Sequence, residues 1–586
     1  MKRIFRFVFL AAACLAVACT EDTTTDEIFA DNGVVEDEYT GETVRLGIEV
    51  TRASLDGLNM AFEAGDMIYI NGKNIPVRAD EKGLFLNAPL AEDNIYRAVF
   101  PAPAATAFAD GNNFAYIHSN MQVYNPGSFG SEAMCLVSYA DLNGAVSDAS
   151  LTFNAMLGVL KLTIKGDAEV RSIRLQNNAF DQADTYTAMS GRTKFVTADG
   201  TALGANEIEG AHHAAPYGYS GMTEDIVMIC NDINGKGVQL SPSGTDFYFT
   251  VYPQEYAKGF TVTVADNNGK SQRFSTSGST TVPVNTLVAM QPMTYAPASD
   301  LLFSEPFDVC VYGGDIVAYR NGGSVWRSRT PILQENSVVN GLPILSTYTQ
   351  EYGLNPGYFL TTSTTAKGGD KQNSRSIVTP GLIFSDWVNE GDNYVATMAD
   401  VIDAGKLLVT PELLNVRGFN DWYMSRCVEF HGYLSVGNEY ALNSYASFKF
   451  GVSPLGILTT PYLSMISGTE DVEVFFDIAA GDGITGYCKK DTPSSSNSFY
   501  TYQPDATAAD SANNISWRED KFRFFATGGT ESAQILKLEF IDENGAVINK
   551  ADGTPMRYAP AGNYVEVPES DLPQTWARVR DRKSVV

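Results

Sequence analysis

Apolar and polar residues alternate with a period of two over much of this chain. Val44, Leu46, Ile48 and Val50 alternate with Arg45, Gly47, Glu49 and Thr51, the pattern of a strand with one face buried. Met67-Ile68-Tyr69-Ile70 runs into Asn71-Gly72. Asn-Gly between apolar runs predicts a hairpin, because a type I′ turn needs two residues that tolerate positive φ. Asn94 to Ala102 predicts a strand ended by Pro101, and Leu151 to Lys165 predicts a strand pair or one long bent strand. Asp471 to Ile478 alternates except at Phe475. Gln534 to Ile541 alternates as well, and leads into the turn Asp542-Glu543-Asn544-Gly545. Ser494 to Ala512 reads as a long loop. Phe7 to Ala18 breaks the rhythm as a continuous apolar run. It is too short to span a bilayer, and Lys2, Arg3 and Arg6 precede it, so it predicts a secretion signal at 1–18.

Length and composition narrow the class. A chain of 586 residues holds three or four domains, and the patterning makes the fold class all-β. The net charge of −28 argues against nucleic acid as a partner. Cys135, Cys230, Cys310, Cys427 and Cys488 are widely spaced with no CxxC. That is neither a metal pattern nor a disulfide framework. They read as small buried hydrophobes, with a single bridge left open. His212 and His213 are adjacent and so point to opposite faces of a strand. HExxH, GxSxG and phosphate-loop patterns are absent. Glu63 and Asp66 fit a turn in which Asp accepts from backbone amides. The loops at 232–237, 266–270 and 542–545 lack the spacing of a calcium loop and predict hairpin turns. The expectation is a non-catalytic protein with no catalytic residues, metal or cofactor.

Ala16-Val17-Ala18-Cys19 resembles a bacterial lipobox. The resemblance implies cleavage before Cys19 and lipidation of its thiol, and each buried CH2 of the acyl chains contributes about 0.8 kcal/mol to membrane binding. From Glu21 to Glu38 there are eight acids and no Lys or Arg. Such a segment cannot bury enough apolar surface to fold, so 19–40 reads as an acidic tether. Thr20-Glu21-Asp22 resembles the surface-export signal of Bacteroidota lipoproteins, which implies an outer-membrane protein, lipid-anchored and exposed at the cell surface.

The series 51–54, 62–72, 96–102, 157–166 and 247–270 (TRAS, FEAGDMIYING, YRAVFPA, LGVLKLTIKG and FYFTVYPQEYAKGFTVTVADNNGK) resembles the fimbrillin-like family of surface proteins. The resemblance implies two tandem β-sandwiches, at 41–165 and 166–298, with a seam near Gly166. After a short linker at 297–300 the composition changes. All five Trp lie beyond it, at 326, 387, 422, 517 and 576. Segments 431–437 and 450–464 resemble jelly-roll modules of surface proteins, some of which bind carbohydrate, so 299–580 is expected to be a jelly-roll-like domain. Thr575 to Arg580 reads as the start of a late strand, and residues 581–586 read as a non-native tail in place of the native continuation, so that the last jelly-roll strand is expected to be missing.

Rigid aromatics contribute much of the energy of a binding face, and a ring can stack on the C–H surface of a sugar. Trp422 beside Asn420 and Asp421, and Trp387, are therefore the candidate ligand-binding residues. The expected function is adhesion or glycan binding at a host or bacterial surface. The fimbrillin-like resemblance implies an alternative, a pilus subunit or tip component. There, an Arg-specific protease removes the N-terminal segment at Arg45 or Arg52 and a strand of another pilus subunit fills the groove.

Overall fold

The computed structural model describes residues 41–50, 61–101, 105–107 and, with short gaps, 114–309. Beyond these it describes 415–419, 422–425, 427–430, 433–436, 457–461, 472–478, 537–560, 564–568 and 577–582, with isolated short strands elsewhere between 332 and 525. Cys19, Arg52, Trp387, Asn420, Asp421 and residues 583–586 lie outside the described residues. The described part is almost entirely β, as the alternation predicts.

The first sandwich is built around an eight-stranded mixed sheet. Its opening strand, Thr43–Val50, is interior. It pairs antiparallel with Gly83–Pro89 and parallel with Ser150–Ala155. Leu46 and Ile48 are buried, as their period-two spacing requires. The predicted hairpin joins Met67–Ile70 to Lys73–Pro76. Asn71 and Gly72 have φ of 43° and 83°, the signs a type I′ turn demands. Phe62 meets Phe100 and Phe153 edge-on, with centroids 5.2 and 5.0 Å apart, and so ties the sheet's two halves.

The second sandwich packs a four-stranded sheet on a six-stranded one. In Gly158–Lys165, Leu160, Leu162 and Ile164 face the shared core while Lys161, Thr163 and Lys165 face away. Val170, Ile173, Leu175, Phe247, Phe249, Val262 and Val264 complete that core. Each such fully buried side chain contributes about 1.5–3 kcal/mol.

Strands cross the boundary expected at 165/166. Gly158–Lys165 pairs with Thr245–Val251, Leu287–Ala289 and Met293–Thr294, so it belongs to the second sandwich. Leu151 to Lys165 is thus two strands, as one of the two expectations had it, but they do not pair with each other: Ser150–Ala155 stays in the first sheet. Ala105–Ala107 and Phe114–His118 join the sheet of Gly191–Val196 and His213–Pro216, and Met121–Val123 pairs with Asp225–Ile229. Period two marks a strand's buried face but not the sheet that receives it.

After residue 415 the described strands form sheets of two to four members. The largest has the order Glu473–Ile478, Ala577–Arg582, Leu538–Ile541, Arg557–Tyr558. Phe476, Val579, Phe540 and Tyr558 pack in the core on one side of it. Asp581 and Arg582 continue the strand Ala577–Arg582 and pair with Val474 and Glu473. A strand, Tyr500–Gln503, lies inside the stretch expected to be a long loop and pairs with Tyr487–Lys490. Two tyrosines and a threonine in four residues give it strand propensity.

Candidate functional site

The most heavily constructed polar site lies on the outer face of the second sandwich, where two distant segments dock. Its base is the strand Glu169–Asn177. Arg171 and Arg174 are three residues apart and would face opposite sides of a regular strand. A register irregularity between Val170 and Ser172 shifts the phase. Val170, Ile173 and Leu175 can then all face the core, and both arginines face outward.

Residues 301–309 cross this face. Nη2 of Arg171 lies 2.6 Å from Oε2 of Glu305, with both side chains about 95% buried. Nε of Arg174 lies 2.5 Å from Oδ2 of Asp225, and its Nη1 lies 3.3 Å from Oδ1 of Asp308. One guanidinium thus serves two buried carboxylates. Burial pushes Asp308 up to about 6, and the nearby Arg174 offsets this only in part. Burial works against the charge of Arg174 too, but Asp225 and Asp308 outweigh it and hold its pKa above the ordinary value. Phe303 lies on Gly269, where a Cβ would fall 2.7 Å from the ring, so the close approach requires glycine. The amide of Ser304 donates to the carbonyl of Gly269 at 2.6 Å.

Residues 415–419 and Trp422 dock beside this strap. Nδ2 of Asn415 donates to the carbonyl of Ile233 at 3.0 Å, and Nδ2 of Asn231 donates to the carbonyl of Asn415 at 3.0 Å. Nη1 of Arg171 donates to the carbonyl of Gly418 at 3.3 Å, and Nη1 of the buried Arg417 donates to the carbonyl of Val309. Trp422 closes the arrangement. Its ring lies 5.6 Å from Phe307, 6.0 Å from Phe303 and 6.1 Å from Phe419. The tryptophan expected to meet a ligand is half-buried in an aromatic cluster that joins the strap to Phe419. Linker residues 297–300 accordingly lead into a docked strap.

The other candidates are engaged as follows. Arg45 pairs with Asp80 at 2.9 Å and its guanidinium sits 4.3 Å from the centroid of Phe85, within the ladder of the opening strand. The amide of Glu63 donates to Oδ2 of Asp66 at 2.8 Å, the turn chemistry expected there. Asp232, Asp266 and Asp542 share one geometry: Oδ1 accepts from the amides two and four residues on, at 2.8–2.9 Å, and the residue three on (Gly235, Gly269 or Gly545) is a glycine at positive φ. The turns at 266 and 542 close hairpins, as predicted, whereas the turn at 232 lies between Asp225–Ile229 and Val238–Gln239, which both pair with Glu169–Asn177 and not with each other. His118 is fully buried, and desolvation lowers its pKa to about 4 although a hydrogen bond to the carbonyl of Thr250 opposes this. Cys135 and Cys230 are buried free thiols, held well above the ordinary range by desolvation. Among the described residues no cluster of His, Cys, Asp or Glu has the geometry of a metal site, and no helix is long and apolar enough to cross a membrane.

Sequence reasoning missed Arg171, Arg174, Glu305 and Asp308. The available signal was two arginines set among Val170, Ile173 and Leu175 in one strand.

No protein-family model matches the chain, and no curated protein matches it. Among solved structures, it is similar to a candidate cell adhesion protein of Bacteroides ovatus, with 12% identity, a TM-score of 0.25, and coverage of 44% of this chain and 96% of the other. A candidate cell adhesion protein of Bacteroides uniformis gives 16% identity, a TM-score of 0.25, and coverage of 44% and 95%. A fimbrial protein of Bacteroides ovatus gives 12% identity, a TM-score of 0.21, and coverage of 44% and 51%.

Proposed function

We propose that this chain is a non-catalytic surface lipoprotein that binds glycans or other surface ligands, held at the outer membrane through Cys19 and the acidic tether. The observation that carries the reading is how the described polar side chains are used. The carboxylates in the loops at 232, 266 and 542 cap turns, His118 is buried, and Arg171 and Arg174 clamp chain segments together. These are the uses expected of a rigid scaffold that displays a binding surface. A glycan array probed with the chain tests the glycan reading, with retention on any defined glycan as the expected result; a blank array overturns glycan binding. Trp387 remains the ligand-binding candidate of the sequence. Trp422→Ala loosens the packing of residues 415–419 on the strap in this reading, so its effect on binding is read beside its effect on melting.

A second reading, a pilus subunit assembled by strand exchange, draws support from the place of the opening strand. Thr43–Val50 lies between two partners, so its loss would open a groove a donor strand could fill. A cut after Arg45 leaves Leu46–Val50, which hold most of the register. A cut after Arg52, two residues past the strand, frees all of it. Mass spectrometry of the mature N-terminus separates the readings: acylated Cys19 belongs to the anchored adhesin, and a start at residue 53 to the polymer.

A further inference from the structure

A different face of the molecule carries a built cationic site. In the sheet formed by Glu473–Ile478, Ala577–Arg582, Leu538–Ile541 and Arg557–Tyr558, the register aligns Phe475 with Arg580, Arg580 with Glu539, and Glu539 with Arg557. Residues directly opposite one another share a face. One row therefore crosses four strands on the side away from the core that holds Phe476, Val579 and Phe540.

The charges in this row do not balance. The carboxylate of Glu539 meets Nη2 of Arg580 at 2.7 Å, Nε of Arg557 at 3.0 Å and Nζ of Lys537 at 3.1 Å. One anion faces three cations in a chain whose net charge is −28. Glu539 is nearly buried, whereas Lys537 and Arg557 are 46% and 49% exposed. Nε of Arg580 is buried and has no hydrogen-bond partner among the described residues. At the head of the row Phe475 is 49% exposed, one of the most exposed large hydrophobic side chains described. Two residues along, Arg578 pairs with Asp477 at 2.9 Å.

We infer that this face binds an acidic sugar. The surplus guanidinium and ammonium groups take the carboxylate or sulfate through charge-assisted hydrogen bonds, and Phe475 stacks on the ring beside it. Dimensions favour a sugar over an acidic protein. Four strands span about 14 Å, the length of a short oligosaccharide, whereas a stable protein interface buries about 800 Å² on each partner and would extend well beyond this row. The inference rests on the reading of the chain as a glycan-binding adhesin and supplies the ligand class.

Calorimetric titration of the full chain tests it with four probes: a heparin-derived tetrasaccharide, an oligogalacturonate, maltotetraose and polyglutamate. The comparison proteins are Phe475→Ala and Arg557→Gln, both at exposed positions, with melting curves to show that they fold. Expected is binding of one or both acidic sugars, weakened about tenfold by Arg557→Gln, the loss of roughly one charge-assisted hydrogen bond, and about fivefold by Phe475→Ala. Preference for the tetrasaccharide marks sulfate as the recognised group; preference for oligogalacturonate marks carboxylate. Equal binding of maltotetraose, or folded variants that bind acidic sugars like the parent, overturns the inference and leaves the adhesin reading standing. Polyglutamate binding with the same sensitivity to both variants reassigns the face to an acidic protein and also overturns it. A blank array together with blank titrations removes both readings.

Discussion

Two ion clusters in this protein use the same groups in opposite proportion. On the second sandwich, one arginine, Arg174, serves two carboxylates, Asp225 and Asp308. In the last sheet, one carboxylate, Glu539, serves three cations. The first cluster is covered by the strap 301–309, and both of its acids are almost wholly buried. The second is open, and two of its cations are half-exposed. A buried imbalance has no solvent to compensate it, so it is met by a shifted pKa: Asp308 rises to about 6. An open imbalance can instead be compensated by water, salt or a ligand. Burial, more than the pairing itself, separates the clamp from the binding face.

The buried cluster should respond most strongly to substitution. Arg174→Met removes the cation beside two buried carboxylates and is expected to cost about 3–5 kcal/mol, read as a lowered midpoint in urea unfolding. A midpoint within error of the parent would mean that the strap is held without Arg174, by the Arg171–Glu305 pair, the Ser304–Gly269 hydrogen bond and its aromatic contacts. Asp308→Asn has the opposite sign. The folded pKa of Asp308, about 6, lies above its ordinary value. The penalty for its charge is therefore fully present above pH 6 and is relieved as pH falls toward 4. The variant should be more stable than the parent at pH 7 by about 2–3 kcal/mol, and the gain should vanish near pH 4.

Arg171 and Arg174 also show what the sequence could and could not reveal. Their spacing of three misleads unless the irregularity at Val170–Ser172 is known, and that irregularity is set by pairing with residues near 265. Turns were legible because their chemistry is local: Asn71-Gly72 and the loops at 232, 266 and 542 carry their own hydrogen-bond partners. Alternation located Thr43–Val50 and Leu538–Ile541. It could not foresee that Met121–Val123 crosses into the second sandwich, because that pairing spans about a hundred residues. Trp422 looked like a ligand residue because Phe303 and Phe307, which cover it, are more than a hundred residues away. Phe475 registered only as a break in alternation. Its row with Arg580, Glu539 and Arg557 exists only once four strands are in register.

A buried group elsewhere must be separated from Asp308 before the acid limb can be read. His118 has a folded pKa of about 4, below its ordinary value near 6.5. As pH falls through 6.5 the unfolded chain takes up the proton first. The stability linked to the neutral ring is therefore present above 6.5 and is lost progressively toward pH 4. The loss is about 3 kcal/mol, opposite in sign to the Asp308 contribution and close to it in size. The parent's profile should be shallow between pH 6 and 4, where the two oppose each other. His118→Gln should remove the loss and leave stability rising as pH falls through 6. A variant profile that stays flat would show that Asp308 does not titrate in this window.

The smallest effect belongs to the open cluster, and its smallness is the test. Arg557→Gln removes one of three cations from Glu539 and leaves Arg580 and Lys537 within 3.1 Å. The lost group is half-exposed and screened by solvent and salt. Urea unfolding should place the variant within about 0.5 kcal/mol of the parent, with the difference shrinking further at high salt. If Arg557 instead held the sheet together as Arg174 holds the strap, the loss would be several-fold larger and insensitive to salt. The two clusters would then be equivalent in role, and the cationic face would be structural. A near-zero effect on stability, beside a clear loss of acidic-sugar binding in the same variant, is what distinguishes a displayed charge from a buried one.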